Sequence, residues 1–212
     1  LYFTATVSAS GNELWKTDGT TAGTVMVKDI NPGGADANPS YLREVDGLLY
    51  FVATDPVNGT ELWKSDGTAS GTVLVRDINP GPGHAYPHDM VRMGTDLYFS
   101  AQDANNGMEL WKTDGTDGGT VLVKDINPGD VASNPGNLLY MNGAVYFTAT
   151  DALSGNELWK SDGTAGGTVM VKDIFAGMDN SYPTSLTLAG NRIYFAATDA
   201  VNGTELWKTD GT

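Results

Sequence analysis

Cysteine is absent from the 212-residue chain, which excludes disulfides and thiolate metal centres and leaves the redox compartment unread. Histidine is nearly absent too: His84 and His88 are the only two. They sit close together in one connection, but a zinc or nickel site needs more ligands than one repeat supplies. With no cysteine nucleophile and no Ser-His-Asp order to trace, nucleophilic catalysis has little support. Basic residues are scarce, 12 against 26 acidic, for a formal net charge of −14. Such a surface repels phosphate backbones and anionic membranes, so nucleic acid is a poor partner, while cations and basic partners are suited. No run approaches the roughly 18 apolar residues of a membrane span, so membrane insertion is not expected. The chain begins at Leu1 inside a repeat, without an initiator Met, so the lack of a leader excludes nothing.

What is abundant is glycine, 27 residues, alongside nine prolines. They follow no three-residue period, so they mark frequent turns between short segments and not a collagen-like chain. With 40% hydrophobic residues there is material for a core, and the composition reads as all-β. The tetrapeptide Glu-Leu-Trp-Lys occurs at Glu13, Glu61, Glu109, Glu157 and Glu205, always 48 residues apart and always followed by Thr or Ser and then Asp-Gly-Thr. Equal spacing without insertions gives each unit an equivalent place, as in solenoids and propellers.

Within one unit, Tyr41 to Val45 is a short apolar stretch closed by the hairpin signal Asp46-Gly47. This is strand A. Leu48 to Thr54 is aromatic and β-branched (strand B), and Asp55 to Gly59 supplies a turn. Thr60 to Lys64 alternates polar and apolar (strand C) and ends at Ser65-Asp66-Gly67-Thr68; Thr72 to Ile78 is strand D, followed by a connection of about ten residues opening at Asn79-Pro80-Gly81. Three short hairpins and one longer crossing describe a four-stranded antiparallel meander, the blade of a β-propeller, and no helical i, i+3, i+4 pattern competes with it. A single repeat domain over 1–212 is expected: strands B to D of the first repeat in 1–30, full repeats at about 39–78, 87–126 and 135–174, and a partial A-B-C repeat in 183–212. Counted by period, that is four full repeats plus a partial fifth. Leu49, Phe51, Leu62, Trp63, Val73 and Val75 and their counterparts are expected to form the core between blades.

The segment Glu61-Leu-Trp-Lys-Ser-Asp-Gly-Thr68, with Gly71-Thr72 beyond it, resembles the bacterial ELWxxDGT repeat family, and the match recurs five times along the chain. The resemblance implies a secreted or surface-attached bacterial protein with a propeller-like fold. It carries no catalytic residues over to this sequence.

Comparing the repeats with one another locates where the chain departs from itself. Strands B, C and D barely change, whereas the D-to-A crossings (residues 34–38, 82–86, 130–134 and 178–182) share almost nothing. Strand A also varies, with Arg43, Val91, Leu139 and Thr187 at one position and Glu44, Arg92, Tyr140 and Leu188 at the next. In a propeller the A strands line the channel, and the D-to-A and B-to-C loops share a face, so a recognition surface belongs there. Arg43, Tyr86, His88, Arg92, Tyr140 and Tyr182 are the candidate ligand-binding residues. The B-to-C turns pair two carboxylates, Asp55 with Glu61, Asp103 with Glu109, Asp151 with Glu157 and Asp199 with Glu205, and so offer hard oxygens to Ca²⁺. The competing reading makes each Asp a turn cap and each Glu a strand-edge residue. Repeat one has Val7 where that Asp is expected, so five equal sites are impossible. The Asp-Gly-Thr hairpins differ in spacing from sialidase-type Asp boxes and read as structural.

Two functions follow as expectations. One is a non-catalytic extracellular or cell-surface module binding a glycan or protein through the loop face. The other is a structural subunit that assembles with copies of itself through unpaired terminal strands.

Overall fold

A computed structural model describes residues 1–212. It contains eighteen strands in five antiparallel sheets and no helix. The first sheet holds β1 (Tyr2–Val7), β2 (Gly11–Lys16) and β3 (Val25–Lys28); the second holds β4 (Ser40–Val45), β5 (Leu48–Asp55), β6 (Gly59–Ser65) and β7 (Val73–Arg76). The third holds β8 (His88–Met93), β9 (Asp96–Asp103), β10 (Gly107–Thr113) and β11 (Val121–Lys124). The fourth holds β12 (Gly136–Met141), β13 (Ala144–Asp151), β14 (Gly155–Ser161) and β15 (Val169–Lys172), and the fifth β16 (Thr184–Ala189), β17 (Arg192–Asp199) and β18 (Gly203–Thr209). Consecutive strands are neighbours in every sheet, so each is a meander. The chain divides into two compact units, Leu1–His88 with Gly115–Asp117 and Asp89–Asp114 with Gly118–Thr212.

Local chemistry accounts for the meanders. Asp46 and Gly47 both take positive φ (50° and 83°), as do Asn142 and Gly143 (51° and 83°). These are type I′ turns, whose twist matches that of the strands they join. The C-to-D connection is organised by its aspartate: Asp66 Oδ1 accepts the Thr68 N–H at 2.8 Å and the Thr68 hydroxyl at 2.7 Å. Those bonds hold the exposed Asp66 carboxyl below its ordinary value.

In the first unit, Leu14, Val27, Ile30 and Ala37 of the first repeat pack against Leu49, Phe51, Ala53 and Trp63 of the second. The second unit repeats the arrangement, with Leu110, Val123 and Ile126 against Val145, Phe147, Ala149 and Trp159. Leu158 and Ile174 pack in the same way against Ile193, Phe195 and Ala197. Within each unit, a repeat therefore covers strand B and packs toward the tryptophan of its successor. No 48-residue sheet has to hold a core alone, which it is too small to do.

Of the expected core, Leu49, Phe51, Leu62, Trp63 and Val75 are buried. Val73 is a correction: it is 36% exposed, like Val25, Val121 and Val169. It opens β7, the outer edge strand of its sheet, where no further strand covers it.

Polar clamps follow the same direction as the core. Lys16 Nζ donates to the Gly67 carbonyl at 2.8 Å, and Lys28 Nζ donates to the Thr72 carbonyl at 2.7 Å while lying 5.7 Å from the Trp63 ring centre. Lys124 does the same to Thr168 and Trp159.

Candidate functional site

The crossings are anchored by a residue the repeat motif conceals. Glu13, Glu61, Glu109 and Glu157 are wholly buried. Glu61 Oε2 and Oε1 accept the backbone N–H groups of Ile78 and Asn79, both at 3.2 Å, where strand D gives way to the crossing. Glu109 accepts from Ile126 at 3.1 Å and from the N–H of Ser133 at 2.9 Å. Burial pushes the Glu61 carboxyl up to about 8 and that of Glu109 up to about 7, against the backbone donors that pull both down. Burial likewise raises Glu13 and Glu157. Glu205 is exposed.

The aspartates of the B-to-C turns serve different donors. Asp55 Oδ1 accepts the Val57 and Asn58 N–H groups, both at 2.7 Å, and Asp103 Oδ1 those of Asn105 and Asn106 at 2.9 and 2.7 Å. Asp151 and Asp199 cap their turns in the same way. The expected calcium pairs Asp55/Glu61, Asp103/Glu109, Asp151/Glu157 and Asp199/Glu205 are accordingly divided between two roles in the fold. In the first three pairs each carboxylate is engaged by its own set of N–H donors. In the fourth, Asp199 caps its turn and Glu205 is exposed. Nowhere do three acidic or histidine side chains converge as a metal site. Glu as a strand-edge residue is corrected, because four of the five are interior. The signal was present: a turn asks only for Asp and Gly, yet the glutamate recurs unchanged in all five repeats.

B-to-C turn and crossing of one repeat meet. The Ala85 N–H donates to the Thr60 carbonyl at 3.0 Å, and Ala37, Ser133 and Ser181 donate equivalently to Asn12, Met108 and Asn156. At Gly59, with φ +71°, a Cβ would lie 1.8 Å from the Gly83 carbonyl oxygen, so only glycine fits.

Besides a glycine (Gly33, Gly81, Gly129 or Gly177), two positions at each crossing have positive φ. Asn38, Tyr86, Asn134 and Tyr182 have φ between 45° and 50°, and Tyr41, Asp89, Asn137 and Ser185 between 52° and 58°. The second set lies at the strand A bulge, where the register slips between Ser40 and Arg43, between Gly136 and Leu139 and between Thr184 and Thr187. Asn and Asp enter this region readily, whereas a tyrosine there carries strain of about 1–2 kcal/mol. Tyr41 and Tyr86 are strained in this way and share one site.

That site is an open cavity of about 190 Å³ lined by Tyr41, Tyr86 and His88, with Ser40 and Thr60 as polar lining and Val52 and Pro87 as apolar lining. Tyr41 is 57% and Tyr86 50% exposed. The His84 ring stacks on Tyr86, with centres 5.1 Å apart and planes at 23°, and the rings of Tyr41 and His88 lie 6.4 Å apart. His84 Nδ1 accepts the Thr60 N–H at 3.0 Å, so that nitrogen is committed to the fold, not to a metal. His88 Nδ1 lies 2.9 Å from the Tyr86 carbonyl and so donates to it, leaving Nε2 as the acceptor.

Of the candidate ligand-binding residues, the structure thus brings Tyr86 and His88 together. Arg43 is exposed on β4, two residues from Tyr41. Arg92, Tyr140 and Tyr182 belong to the second unit and are exposed; Arg92 Nε donates to the Gly94 carbonyl at 2.8 Å. Sequence reasoning passed over Tyr41 as a ligand contact. Its counterparts Asp89, Asn137 and Ser185 were the available clue.

No family model matches the chain, and no curated protein does. Solved structures of similar fold include the computationally designed protein Ika8, at 13% identity and TM-score 0.51 over 98% of this chain and 55% of that one. Puromycin hydrolase is similar at 15% identity and TM-score 0.58, over 94% of this chain and 31% of that one. So is a prolyl endopeptidase structure, at 12% and 0.54 over 98% and 33%. The chain spans no more than 55% of the length of any of these. Together with the five meanders they define the class, an all-β, β-propeller-like repeat protein. That hydrolases are among them speaks to fold alone.

Proposed function

We propose that this chain is a non-catalytic extracellular binding module, its sheets serving as blades of a propeller and its loop face recognising a glycan or protein. The observation that carries this is the pair of strained, exposed tyrosines on a backbone where, Tyr182 apart, the sister repeats carry Asn, Asp and Ser. Strain held at an exposed aromatic points to use of that side chain. The non-catalytic reading is supported by the commitments of the carboxylates: the buried glutamates are bonded to backbone, and the turn aspartates are bonded to their own turns. Extracellular placement draws on the resemblance to the ELWxxDGT repeats.

Presenting the chain with polysaccharide and protein panels, and reading both retention and product release, tests this. Retention without cleavage, weakened when Tyr86 and Tyr182 are changed to Asn, is the expected result. Cleavage of a retained ligand would overturn the non-catalytic reading, and retention indifferent to both changes would overturn the loop face.

A second reading, a structural subunit adding to copies of itself, draws on the joints by which one repeat packs against the next, since a joint between repeats of one chain can also form between copies. Light scattering separates the two, since a subunit of this kind grows in mass with concentration and a binding module does not.

A further inference from the structure

We infer that the cavity between Tyr41 and Tyr86 holds one ring of an uncharged saccharide, an inference that rests on loop-face binding and names its ligand. A sugar ring presents an apolar C–H face and a rim of hydroxyls, so its site needs exposed aromatic faces beside hydrogen-bonding groups. The cavity has both: Tyr41 and Tyr86 supply the faces, and Ser40, Thr60 and His88 the polar groups. At about 190 Å³ it falls below the roughly 300 Å³ at which pockets for larger small molecules begin, which suits a single ring.

The site is also pre-organised. His84 is fixed by the Thr60 N–H and stacks on Tyr86, while His88 is fixed by the Tyr86 carbonyl. Tyrosine adds broad contact with only two side-chain torsions to immobilise, so little affinity is lost to ordering.

Two alternatives fit less well. An anionic sugar would approach a chain of net charge −14 against repulsion. A peptide anchor wants a deep apolar pocket, whereas the aliphatic lining here is Val52 and Pro87 in an open depression.

The equivalent positions show that the pocket can be dismantled without unfolding its backbone. Asn134 and Asn137 occupy the places of Tyr86 and Tyr41 at φ 50° and 56°. The variants Tyr86→Asn and Tyr41→Asn are therefore compatible with the crossing as it stands.

The test is NMR of the whole chain with its tyrosines isotopically labelled. It is titrated with the methyl glycosides of glucose, galactose and mannose, with N-acetylglucosamine and its disaccharide, with glucuronate, and with an unstructured tyrosine- and proline-containing peptide. Saturable shifts of Tyr41 and Tyr86 with at least one uncharged sugar, weakened at least tenfold in Tyr86→Asn and in Tyr41→Asn, are expected. Shifts of these two tyrosines with glucuronate or the peptide alone would overturn the saccharide assignment and leave the loop face standing. Shifts confined to Tyr140 or Tyr182 would overturn this cavity and not the loop face. Silence of all four with every probe would overturn both.

Discussion

The crossings at residues 79–88 and 127–136 share a backbone but no residue between positions 82–86 and 130–134. Both are tied by a buried glutamate, Glu61 or Glu109, through N–H donors at 2.9–3.2 Å. Both take positive φ at a glycine, Gly81 or Gly129, and again at Tyr86 or Asn134. Yet the first presents His84, Tyr86 and His88, and the second Ala132, Asn134 and Gly136. The backbone bonds make the path independent of what decorates it, so side chains unsuited to the path can be carried without loss of the path. One crossing is thus free to build a surface while its sister takes the residue the geometry prefers.

The largest effect is expected from removing the glutamate that the two crossings share. Glu61→Ala leaves two interior N–H groups without acceptors and is expected to cost about 3 kcal/mol. Glu61→Gln, which keeps one acceptor, is expected to cost about half that. Glu109→Ala should behave like Glu61→Ala, and urea unfolding with an unchanged m-value checks all three. A much smaller loss would mean that the path holds itself.

The next effect is on pH. Folding raises the Glu61 carboxyl from an ordinary 4.5 to about 8 and that of Glu109 to about 7. Between those values the native chain keeps protons that the unfolded chain releases, so stability falls as pH rises from about 4.5 to about 8 and levels beyond. Melting temperatures across that window should decline, and the decline should shrink in Glu61→Gln.

Exchanging the decorations is expected to matter less. Tyr86→Asn relieves left-handed strain and should stabilise the fold by about 1 kcal/mol, while Asn134→Tyr should destabilise it by a similar amount. Equal signs for the two changes would refute the claim of a common path. The smallest effect concerns calcium. Millimolar Ca²⁺ should raise the melting temperature no further than matched ionic strength does, because the turn aspartates serve their own N–H groups and no acidic cluster forms a metal site.

Much of this was legible in residue order. The 48-residue period, the Asp46-Gly47 hairpin and the aromatic strand Leu48 to Thr54 located all eighteen strands to within a few residues, since turns and alternation are local properties. Strand D was over-extended, from Thr72 to Ile78 in place of Val73–Arg76, because the glutamate claims the Ile78 N–H and ends the pairing. That bond spans seventeen residues, and no local pattern announces it. The residues lining the cavity were half legible. Tyr86 and His88 stood out by differing from their counterparts, but the partnership of Tyr41 with Tyr86 depends on how a strand A bulge meets the next crossing, which a linear reading does not show.

The lysine clamps carry a consequence for how such a chain lengthens. Lys16 and Lys28 reach only forward, to Gly67, Thr72 and Trp63 of the following repeat. Lys160 and Lys172 do the same toward Gly211 and Trp207. A 48-residue segment of this kind therefore carries one half of a joint at each end, a carbonyl and indole to be gripped and a basic pair to grip with, Arg76 standing in the second repeat where the others have lysine. Tandem duplication of such a segment inserts a complete joint without inventing a contact, and the new copy is at once free to diverge in its crossing alone.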